Sequence, residues 1–533
     1  MKKVSFHLFL LLIIPVAITL SQAERETRAV WLATNFRLDW PPQTLNQEKQ
    51  KQALIKIFDN IKSKNLNTVY FQVGSNGTVL FKSSYEPFSS YITGEVNGTA
   101  TYDPLKFAVE EAHKRGLEIH AWVNIVRCFS GTESKVLNNP AHISKRKPEW
   151  VVEDIRDGQR TLWLDPGLPE VRGYISDVIT EMVANYDVDG VHLDYIRYPG
   201  KNFDDEFSYS VYGAGLSRDE FRRKNINDLV GLINNNIKEV KHFIKLGAAP
   251  IGIYKNLSGM TGWEGFNEVY QDAREWLKKG IIDYIAPQIY WGINDNPRFA
   301  ILARDWAENA YGRSVVLGIG AYKQNVKPDM DQMIQYARSI NADGVSFFRY
   351  ENIQDSEFSS FPYKTYPANM PWLDGIHPEP PSNLVLRNSS NPHTFSLIWN
   401  SEKMKSQSDT LSYFALYNLP SRNSELLSDY LFDVILAEKS SVSLSIENPR
   451  RVNYYFTLKS VSKLWNESIL SSNVVQINVP ELKLLVDMDD FITKPVLIKE
   501  SDDNSKILIY SKERDRIDVE FINGEKREIL LTE

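Results

Sequence analysis

The segment Asp187-Val188-Asp189-Gly190-Val191-His192-Leu193-Asp194 decides the fold that this sequence predicts. Successive residues of a β-strand point to opposite faces of a sheet, so Val191 and Leu193 share one face while His192 and Asp194 share the other. A barrel strand turns one face to the interior and the other to the helix layer. A polar face that ends in a carboxylate therefore indicates a barrel strand with a site at its C-terminal end, where barrel enzymes keep their active sites.

Short β-type runs alternate with amphipathic helices throughout residues 28–350. This alternation predicts an α/β fold of parallel strands joined by crossover helices, and eight units in about 320 residues fit a (β/α)8 TIM barrel. A doubly wound open sheet is the alternative. The predicted strands are Ala29–Thr34, Thr68–Val73, Glu118–Val123, Gly190–Asp194, Ile244–Ile253, Tyr284–Tyr290, Ser314–Ile319 and Gly344–Phe348. The predicted helices include Gln47–Lys64, Pro104–Arg115, Pro169–Tyr186, Arg218–Val240, Asn267–Lys279 and Pro328–Ile340.

Three other predicted strands also carry polar or large aromatic residues on one face. Gln72 lies on that face of the second strand, Trp122 and Asn124 on that of the third, and Gln288 and Tyr290 on that of the sixth. A barrel without a site fills such positions with branched aliphatic residues. We therefore expect a polar cup at the C-terminal ends of the strands.

Composition excludes several function classes. The chain has 533 residues, of which 42% are hydrophobic and 24% charged, as in ordinary globular proteins. A net charge of −7 argues against binding to nucleic acid. The single cysteine, Cys128, permits neither an intrachain disulfide nor a cysteine-based zinc site. No dinucleotide loop, phosphate loop or zinc-protease motif occurs, so we expect no cofactor and no metal, with His120 and His192 as core residues rather than metal ligands.

Residues 1–23 have the order of a secretory signal peptide. Lys2 and Lys3 precede the apolar run Leu8–Leu20, and small residues at Ser21 and Ala23 follow it. A membrane anchor is the alternative, but thirteen apolar residues fall short of the roughly 20 that span a bilayer. The sequence thus predicts an exported protein, periplasmic or extracellular, without a membrane anchor beyond the cleaved signal.

The chain after the predicted barrel (24–361) has a different character. Six prolines in the stretch 362–381 predict an exposed linker, so a chain that ends near Pro371 is expected to fold and keep its activity. About seven short strands in about 100 residues are typical of a β-sandwich, and residues 382–480 carry such runs around Trp399, a predicted core residue. The placed runs are Asn383–Arg387, Thr394–Trp399, Ser412–Tyr417, Val442–Ile446, Tyr454–Val461 and Asn473–Val479. Residues 481–533 form a short β-rich tail to which the sequence assigns no role.

Two parts of the chain resemble known families. Tyr454–Val461 with Asn466-Glu467-Ser468 resembles the penultimate strand and loop of a fibronectin type III module. The ordered set of barrel segments resembles the glycoside-hydrolase-like family 10, a former domain of unknown function. Those segments are Arg28–Thr34, Phe71–Val73, Glu86–Gly94, His120–Asn124 with Arg127, Trp163–Gly167 with Pro169–Arg172, Asp187–Pro199 and Tyr284–Trp291. The resemblance implies an exported bacterial barrel that acts on glycans, and some relatives are regarded as hydrolases of cell-wall glycan strands.

Two departures from the family pattern affect the predicted site. The family often has Arg-Pro and then Asp after its second strand, where this chain has Gly74, Ser75 and Thr78. This difference suggests another sugar in the subsite beside that strand. The family usually has Asn where this chain has Asp165, which is either an additional catalytic carboxylate or a cap for the helix that begins near Pro169.

The leading hypothesis is a glycoside hydrolase with Asp194 as general acid. Glycosidases commonly use two carboxyl groups around the scissile bond, and Glu351 and Asp165 are the candidates for the second. The seventh strand ends in Gly318-Ile319-Gly320-Ala321-Tyr322, without the Glu of the large glycosidase clan. Attack by a 2-acetamido group of the substrate therefore stays open as another route. The candidate substrate-binding residues are Gln72, Trp122, Asn124, Arg127, Arg197, Gln288, Tyr290 and Trp291.

A second hypothesis is a non-catalytic, glycan-binding barrel at the cell surface with the sandwich as a companion module. Under both hypotheses the partner is a polysaccharide or a peptidoglycan glycan, and the oligomeric state is not indicated by the sequence. The discriminating feature is a second carboxylate near Asp194, which the sequence does not place.

Overall fold

The computed structural model describes residues 25–156, 158–389, 393–400, 411–446 and 453–479, with four short strands beyond residue 496. The predicted signal peptide lies outside the described residues. Eight parallel strands form a closed barrel, because the first strand pairs with both the second and the eighth. The barrel strands are β1 Thr27–Leu32, β2 Thr68–Ser75, β3 Glu118–Asn124, β4 Gly190–Asp194, β5 Lys245–Ala248, β6 Tyr284–Ile285 with its continuation Gln288–Ile289, β7 Ser314–Ile319 and β8 Gly344–Phe347.

Each barrel strand is followed by a helix. Helix α1 begins where Asn46 accepts a hydrogen bond from the Lys49 backbone N–H, and α4 begins with a capping box of Ser217 and Glu220. The helices are α1 Gln47–Ser63, α2 Pro104–His113, α3 Pro169–Asn185, α4 Arg218–Val240, α5 Ala273–Lys279, α6 Phe299–Ala307, α7 Met330–Ser339 and α8 Tyr350–Ile353. Further short helices and helical turns occur at Asn35–Arg37, Ser90–Thr93, Ser134–Leu137, Ile143–Arg146, Pro148–Trp150, Glu206–Tyr212, Gly265–Glu268, Lys327–Asp329 and Ser428–Tyr430. The closed parallel sheet confirms the TIM barrel and excludes the open sheet.

The two faces of the strands separate as their alternation predicts. Val191 and Leu193 are buried in the large apolar cluster between the barrel and its helices. Trp31, Tyr70 and Tyr284 belong instead to a separate cluster inside the barrel. The barrel interior is therefore filled by aromatic and polar side chains rather than by aliphatic ones.

The connection from β3 to α3 carries a small antiparallel sheet. Its strands are Arg127–Ser130, Val151–Arg156 and Gln159–Leu164, with the last in the middle. A further short strand, Thr78–Val79, pairs with the end of β2. These additions lie at the C-terminal end of the barrel and form one side of its mouth. Among the described helices, none is long and apolar enough to cross a membrane.

Beyond the barrel, two antiparallel sheets pack around Trp399. The strands are β9 Ser382–Asn388, β10 Thr394–Asn400, β11 Leu411–Leu419, β12 Leu431–Leu436, β13 Ser441–Ser445, β14 Asn453–Ser462 and β15 Val475–Asn478. One sheet has the order β9-β10-β13 and the other β12-β11-β14-β15. The tail contains the paired strands Leu497–Glu500 with Ile507–Tyr510 and Arg516–Glu520 with Lys526–Leu530. The strand β12 is absent from the predicted runs.

The sandwich contacts the N-terminal end of the barrel. The Trp465 indole N–H donates a hydrogen bond of 2.8 Å to Glu118, the first residue of β3, and its ring stacks on Tyr413 at 5.0 Å. Nearby, the Lys463 ammonium lies 2.6 Å from Asp187 and 3.5 Å from Asp189, just before β4. Because Trp465 and Glu118 are both buried, this contact is a continuous part of the protein interior.

The proline-rich stretch 362–381 is exposed only in part, whereas its composition predicts an exposed linker. Tyr366, Ala368 and Met370 are buried, and the Glu26 backbone N–H donates to the Tyr366 carbonyl at 2.9 Å. The Tyr366 hydroxyl donates to Glu467 of the sandwich at 2.8 Å. Tyr366, Ala368 and Met370 thus fill part of the seam between barrel and sandwich. A chain that ends near Pro371 would keep these residues but lose their partners in the sandwich, such as Glu467. The domain boundaries themselves stay predictions.

Replacement of Trp465 tests whether the sandwich stabilises the barrel. We expect Trp465→Ala to lower the free energy of unfolding by about 3–5 kcal/mol, because it removes a buried aromatic side chain and one hydrogen bond to Glu118. Denaturant titration followed by circular dichroism measures the change. Ile469→Ala is the control, since Ile469 is 78% exposed on the same module. Equal stability of the two variants would contradict this role of Trp465.

Candidate active site

Asp194 ends β4 at the C-terminal mouth of the barrel and is buried. One carboxylate oxygen accepts a hydrogen bond from the Trp122 indole N–H at 3.2 Å. The other accepts from the Tyr195 backbone N–H at 2.8 Å and from the Gln288 amide at 3.3 Å. Asn124 is the register neighbour of Asp194 on β3. Three side chains predicted for the cup therefore surround this carboxylate.

The surroundings of Asp194 favour its protonated form. Burial raises the pKa of Asp194 above the usual value for this side chain. The Tyr195 N–H, the positive charges of Arg127 and Arg197, and the Trp122 N–H act in the opposite direction but do not cancel the effect of burial. A carboxyl group that keeps its proton at higher pH is suited to general acid catalysis.

Tyr290 follows β6 and adds an aromatic wall near Asp194. Its ring centre lies 5.5 Å from that of Phe348 and 5.9 Å from that of Tyr322. Burial, with a further contribution from the Asp194 charge, holds the pKa of Tyr290 well above its usual range, so its hydroxyl stays a hydrogen-bond donor. Trp291 instead packs against the apolar cluster outside the barrel, with the Lys323 ammonium 5.8 Å from its ring centre. The structure thus separates these two adjacent candidates.

The Gln72 side chain connects the loop after β1 to Asn124 at the end of β3. Its carbonyl oxygen accepts from the backbone N–H groups of Thr34 at 3.0 Å and Asn35 at 2.9 Å. Its amide donates to the Asn124 carbonyl oxygen at 3.3 Å, which fixes the orientation of Asn124. The Asn124 amide nitrogen is buried and has no hydrogen-bond partner among the described residues. Gln72 is therefore a positioning residue, and Asn124 keeps an N–H group for a ligand.

A cleft of about 310 Å³ opens between the small antiparallel sheet and the loops that follow β4 and β5. Arg127 and Arg197 line it, and the Arg127 guanidinium lies only 3.4 Å from the centre of the Tyr195 ring. Arg197 lies 4.8 Å from the ring centre of Trp263, which is 44% exposed. The cleft combines aromatic faces, which stack on sugar rings, with two arginines and one acidic residue, Asp154.

The two candidates for a second carboxylate lie in other surroundings. Glu351 is exposed and forms an ion pair with Arg349 in the loop after β8. Asp165 is buried, and its carboxylate accepts from the Gly167 backbone N–H at 2.8 Å in the turn before α3. Burial raises the pKa of Asp165. Within the described part of the chain, no hydrogen bond joins either carboxylate to Asp194.

Asp39 is a buried carboxylate that the sequence analysis does not identify. It accepts a 2.7 Å hydrogen bond from the Ala33 backbone N–H and a 2.5 Å hydrogen bond from Arg349. Burial raises the pKa of Asp39 despite these partners. It lies in an irregular loop after β1, where strand alternation gives no signal, and it ties that loop to the end of β8.

The two barrel histidines belong to one chain of hydrogen bonds. The Trp31 indole donates to His192 Nε2 at 3.0 Å, and His192 Nδ1 lies 2.9 Å from the Tyr284 hydroxyl. This hydroxyl lies 2.7 Å from His120 Nδ1, and His120 Nε2 lies 3.3 Å from Glu118. An indole only donates and a carboxylate only accepts, so with both imidazoles neutral each hydrogen bond of the chain donates toward Glu118. Among the described residues, no group of three or more His, Cys, Asp or Glu could hold a metal.

Comparison with known proteins gives the family. Residues 26–338 match the model of the family described as Glycosyl hydrolase-like 10. This chain belongs to that family. It is 31% identical over 491 residues to the glycosyl hydrolase YngK of Bacillus subtilis (strain 168), a match that covers 86% of this chain and 94% of that protein. It is 35% identical over 340 residues to the glycosyl hydrolase DigH of Escherichia coli (strain K12), with 58% of this chain and 77% of that protein covered.

Among solved structures, the glycoside hydrolase domain of PgaB (BpsB) from Bordetella bronchiseptica is 14% identical and superposes with a TM-score of 0.46. This match covers 63% of the chain and 99% of that domain. Membership of the glycosyl hydrolase-like 10 family confirms the family that the barrel segments indicate. It also supports a hydrolase that acts on glycans.

The hydrogen-bond chain inside the barrel gives a test of its structural role. We expect Tyr284→Phe to lower the free energy of unfolding by about 1–3 kcal/mol, because His192 and His120 then lose a buried partner. Thermal or denaturant unfolding measures this change. Tyr311→Phe, at a tyrosine that is 52% exposed, serves as the control and should be neutral. A neutral result for Tyr284→Phe would show that water replaces the hydroxyl.

Proposed function

We propose that this protein is an exported glycoside hydrolase that cleaves O-glycosidic bonds, with Asp194 as the general acid. The observation that carries the proposal is the buried Asp194 carboxyl at the mouth of the barrel, whose surroundings raise its pKa. The cleft beside it has the aromatic and polar lining that a sugar chain requires. Family membership supports the same reaction class.

Proton transfer from Asp194 would protonate the oxygen that leaves the anomeric carbon. The carboxylate that results is negative and buried, and it needs donors that are already oriented. Trp122 and the Tyr195 backbone N–H occupy these positions, and the charges of Arg127 and Arg197 stabilise the same anion. The groups that lower the pKa of Asp194 before the reaction thus stabilise the Asp194 carboxylate that proton transfer leaves.

An N-acetylated cell-wall strand is the substrate that we propose. The unpartnered Asn124 N–H suits the carbonyl oxygen of an acetamido group. Glu351 and Asp165 are engaged away from Asp194, which favours attack by the substrate's own acetamido group over a carboxylate of the protein. Both routes, attack by a protein carboxylate and attack by the substrate's acetamido group, use Asp194 as the general acid.

A non-catalytic glycan-binding barrel is the second candidate. The positions of Glu351 and Asp165 favour it, because a two-carboxylate mechanism then lacks its second group. The raised pKa of Asp194 favours the hydrolase. A buried carboxyl group with a raised pKa and no ion pair is useful for proton transfer, whereas glycan binding alone does not require one.

The C-terminal module is proposed to be fibronectin type III-like. Its three-stranded and four-stranded antiparallel sheets, with Trp399 between them, support this assignment. We further propose that residues 1–23 are a cleaved signal peptide and that the mature protein is periplasmic or extracellular.

Substitution of Asp194 tests the general acid. We expect Asp194→Asn to lower turnover by about 10²–10⁴-fold, because the amide keeps the shape of the side chain but cannot donate the proton. Release of reducing ends from purified glycan strands measures the rate. Asp177→Asn, at an exposed position on α3, is the matched control. Full activity of Asp194→Asn on a confirmed substrate would show that the active site does not lie at the end of β4.

Two further substitutions separate the routes. Near-normal rates for both Glu351→Gln and Asp165→Asn would favour substrate assistance, and a loss as large as that of Asp194→Asn in either would identify a second carboxylate.

Mass spectrometry of the protein from its native host tests the signal peptide. We expect a mature chain that begins near Glu24. An intact Met1 would contradict export with cleavage.

The pH dependence of kcat/KM follows from the same group. Asp194 acts in its protonated form, so the rate should fall as pH rises through its pKa, and the midpoint should lie above the usual value of about 3.9 for an aspartic acid. A carboxylate base or nucleophile would add a second fall at low pH, whereas substrate assistance would not. Initial rates between pH 3 and pH 9 distinguish the two shapes.

A further inference from the structure

Arg127 is a half-buried arginine that forms no ion pair with any described residue, although its charge acts on the nearby Asp194. It begins the strand Arg127–Ser130, and among the described residues its side chain makes no hydrogen bond or ion pair. Its Nε atom is screened from solvent and unpaired. By contrast, Arg222 and Arg28, which are fully buried, each form an ion pair with an acidic side chain. A donor that is removed from water without a partner is costly, so the unpaired Nε–H group at the edge of the cleft points to a ligand.

The position of Arg127 defines what kind of ligand would fit. Its guanidinium is stacked on the Tyr195 ring at 3.4 Å, and stacking leaves the N–H groups at the edge of the plane free. Such a fork matches the two oxygens of a carboxylate. Tyr195 directly follows Asp194, and Trp163 and Trp263 line the same cleft of about 310 Å³. A carboxylate at Arg127 would therefore belong to a sugar bound beside the general acid.

We propose that Arg127 binds a carboxylate of the glycan and so makes this enzyme select an acidic sugar in the cleft. This inference rests on the proposed glycosidase function. The carboxylate is either a lactyl ether substituent on an N-acetylated sugar or the acid group of a uronic sugar, since the fork recognises both.

The same contact would couple recognition to catalysis. The positive charge of Arg127 opposes the effect of burial on Asp194, so a carboxylate bound to Arg127 would offset that charge and raise the pKa of Asp194 further. The general acid would then hold its proton more firmly with an acidic substrate than with a neutral one. The charged or titratable groups that act on Asp194 from the neighbouring loops are Arg127, Arg197 and Tyr290.

Binding measurements with matched probes test the proposal. The probes are N-acetylglucosaminyl-N-acetylmuramic acid, its methyl ester, and a hyaluronan tetrasaccharide with its methyl ester. Titration calorimetry uses the full chain with Asp194→Asn, which keeps the probes intact. We expect at least one acid to bind about tenfold more tightly than its ester, because charged bidentate hydrogen bonds are lost on esterification. The acid with the larger ratio identifies the source of the carboxylate.

Variants at Arg127 assign that preference to one side chain. Arg127→Gln should bring the acid-to-ester ratio close to one, and Arg127→Lys should keep part of it because it keeps the charge without the fork. Arg298→Gln, at an exposed arginine of the loop before α6, should leave the ratio unchanged. A merely structural role of Arg127 would weaken acid and ester equally and would overturn the proposal.

The outcomes separate this inference from the proposed function. Equal affinity for acid and ester, or a ratio that survives Arg127→Gln, would overturn the role of Arg127 while the glycosidase stands. Failure to bind all probes, together with absence of hydrolysis of any glycan by the unsubstituted chain, would overturn both.

Discussion

Hydrogen bonding inside the barrel is the constraint on which the rest of this structure depends. The inward positions of β1, β3, β4 and β6 hold polar aromatic side chains, and a buried polar group is costly unless it is paired. The chain from Trp31 through His192, Tyr284 and His120 to Glu118 pairs them in one direction. With the interior filled in this way, the mouth of the barrel has a rigid floor on which Asp194 and Trp122 are held.

Two of the buried carboxylates, Glu118 and Asp194, lie at opposite ends of the barrel, and their environments give them different roles. Burial alone would raise the pKa of Glu118, but the charge of Lys245 and the hydrogen bond from His120 outweigh it and hold that pKa below its usual range. Asp194 is also buried, yet the guanidinium of Arg127 beside it stacks on Tyr195 instead of pairing with the carboxylate, and its pKa rises. One acid is thus a structural anion, and the other is suited to proton transfer.

Strand alternation was sufficient to predict the barrel and the group around Asp194, because the face of each residue follows from local geometry. It could not predict the role of Gln72, because that side chain accepts hydrogen bonds from the loop after β1. The path of this loop depends on tertiary packing. Asp39 is missing from the prediction for the same reason. Proline content indicated a boundary at 362–381, but it gave no information on where Tyr366 and Met370 pack.

The position of the sandwich limits what it can contribute to catalysis. Its contacts to Glu118 and Asp187 lie at the N-terminal ends of β3 and β4, whereas Asp194 lies at the other end of the barrel. β3 spans the seven residues Glu118–Asn124, or about 20 Å at the rise of an extended strand. Trp465 therefore cannot touch a substrate at Asp194. It gives Glu118 a hydrogen bond that the barrel alone does not supply, so the sandwich acts on the site through the stability of the floor beneath it.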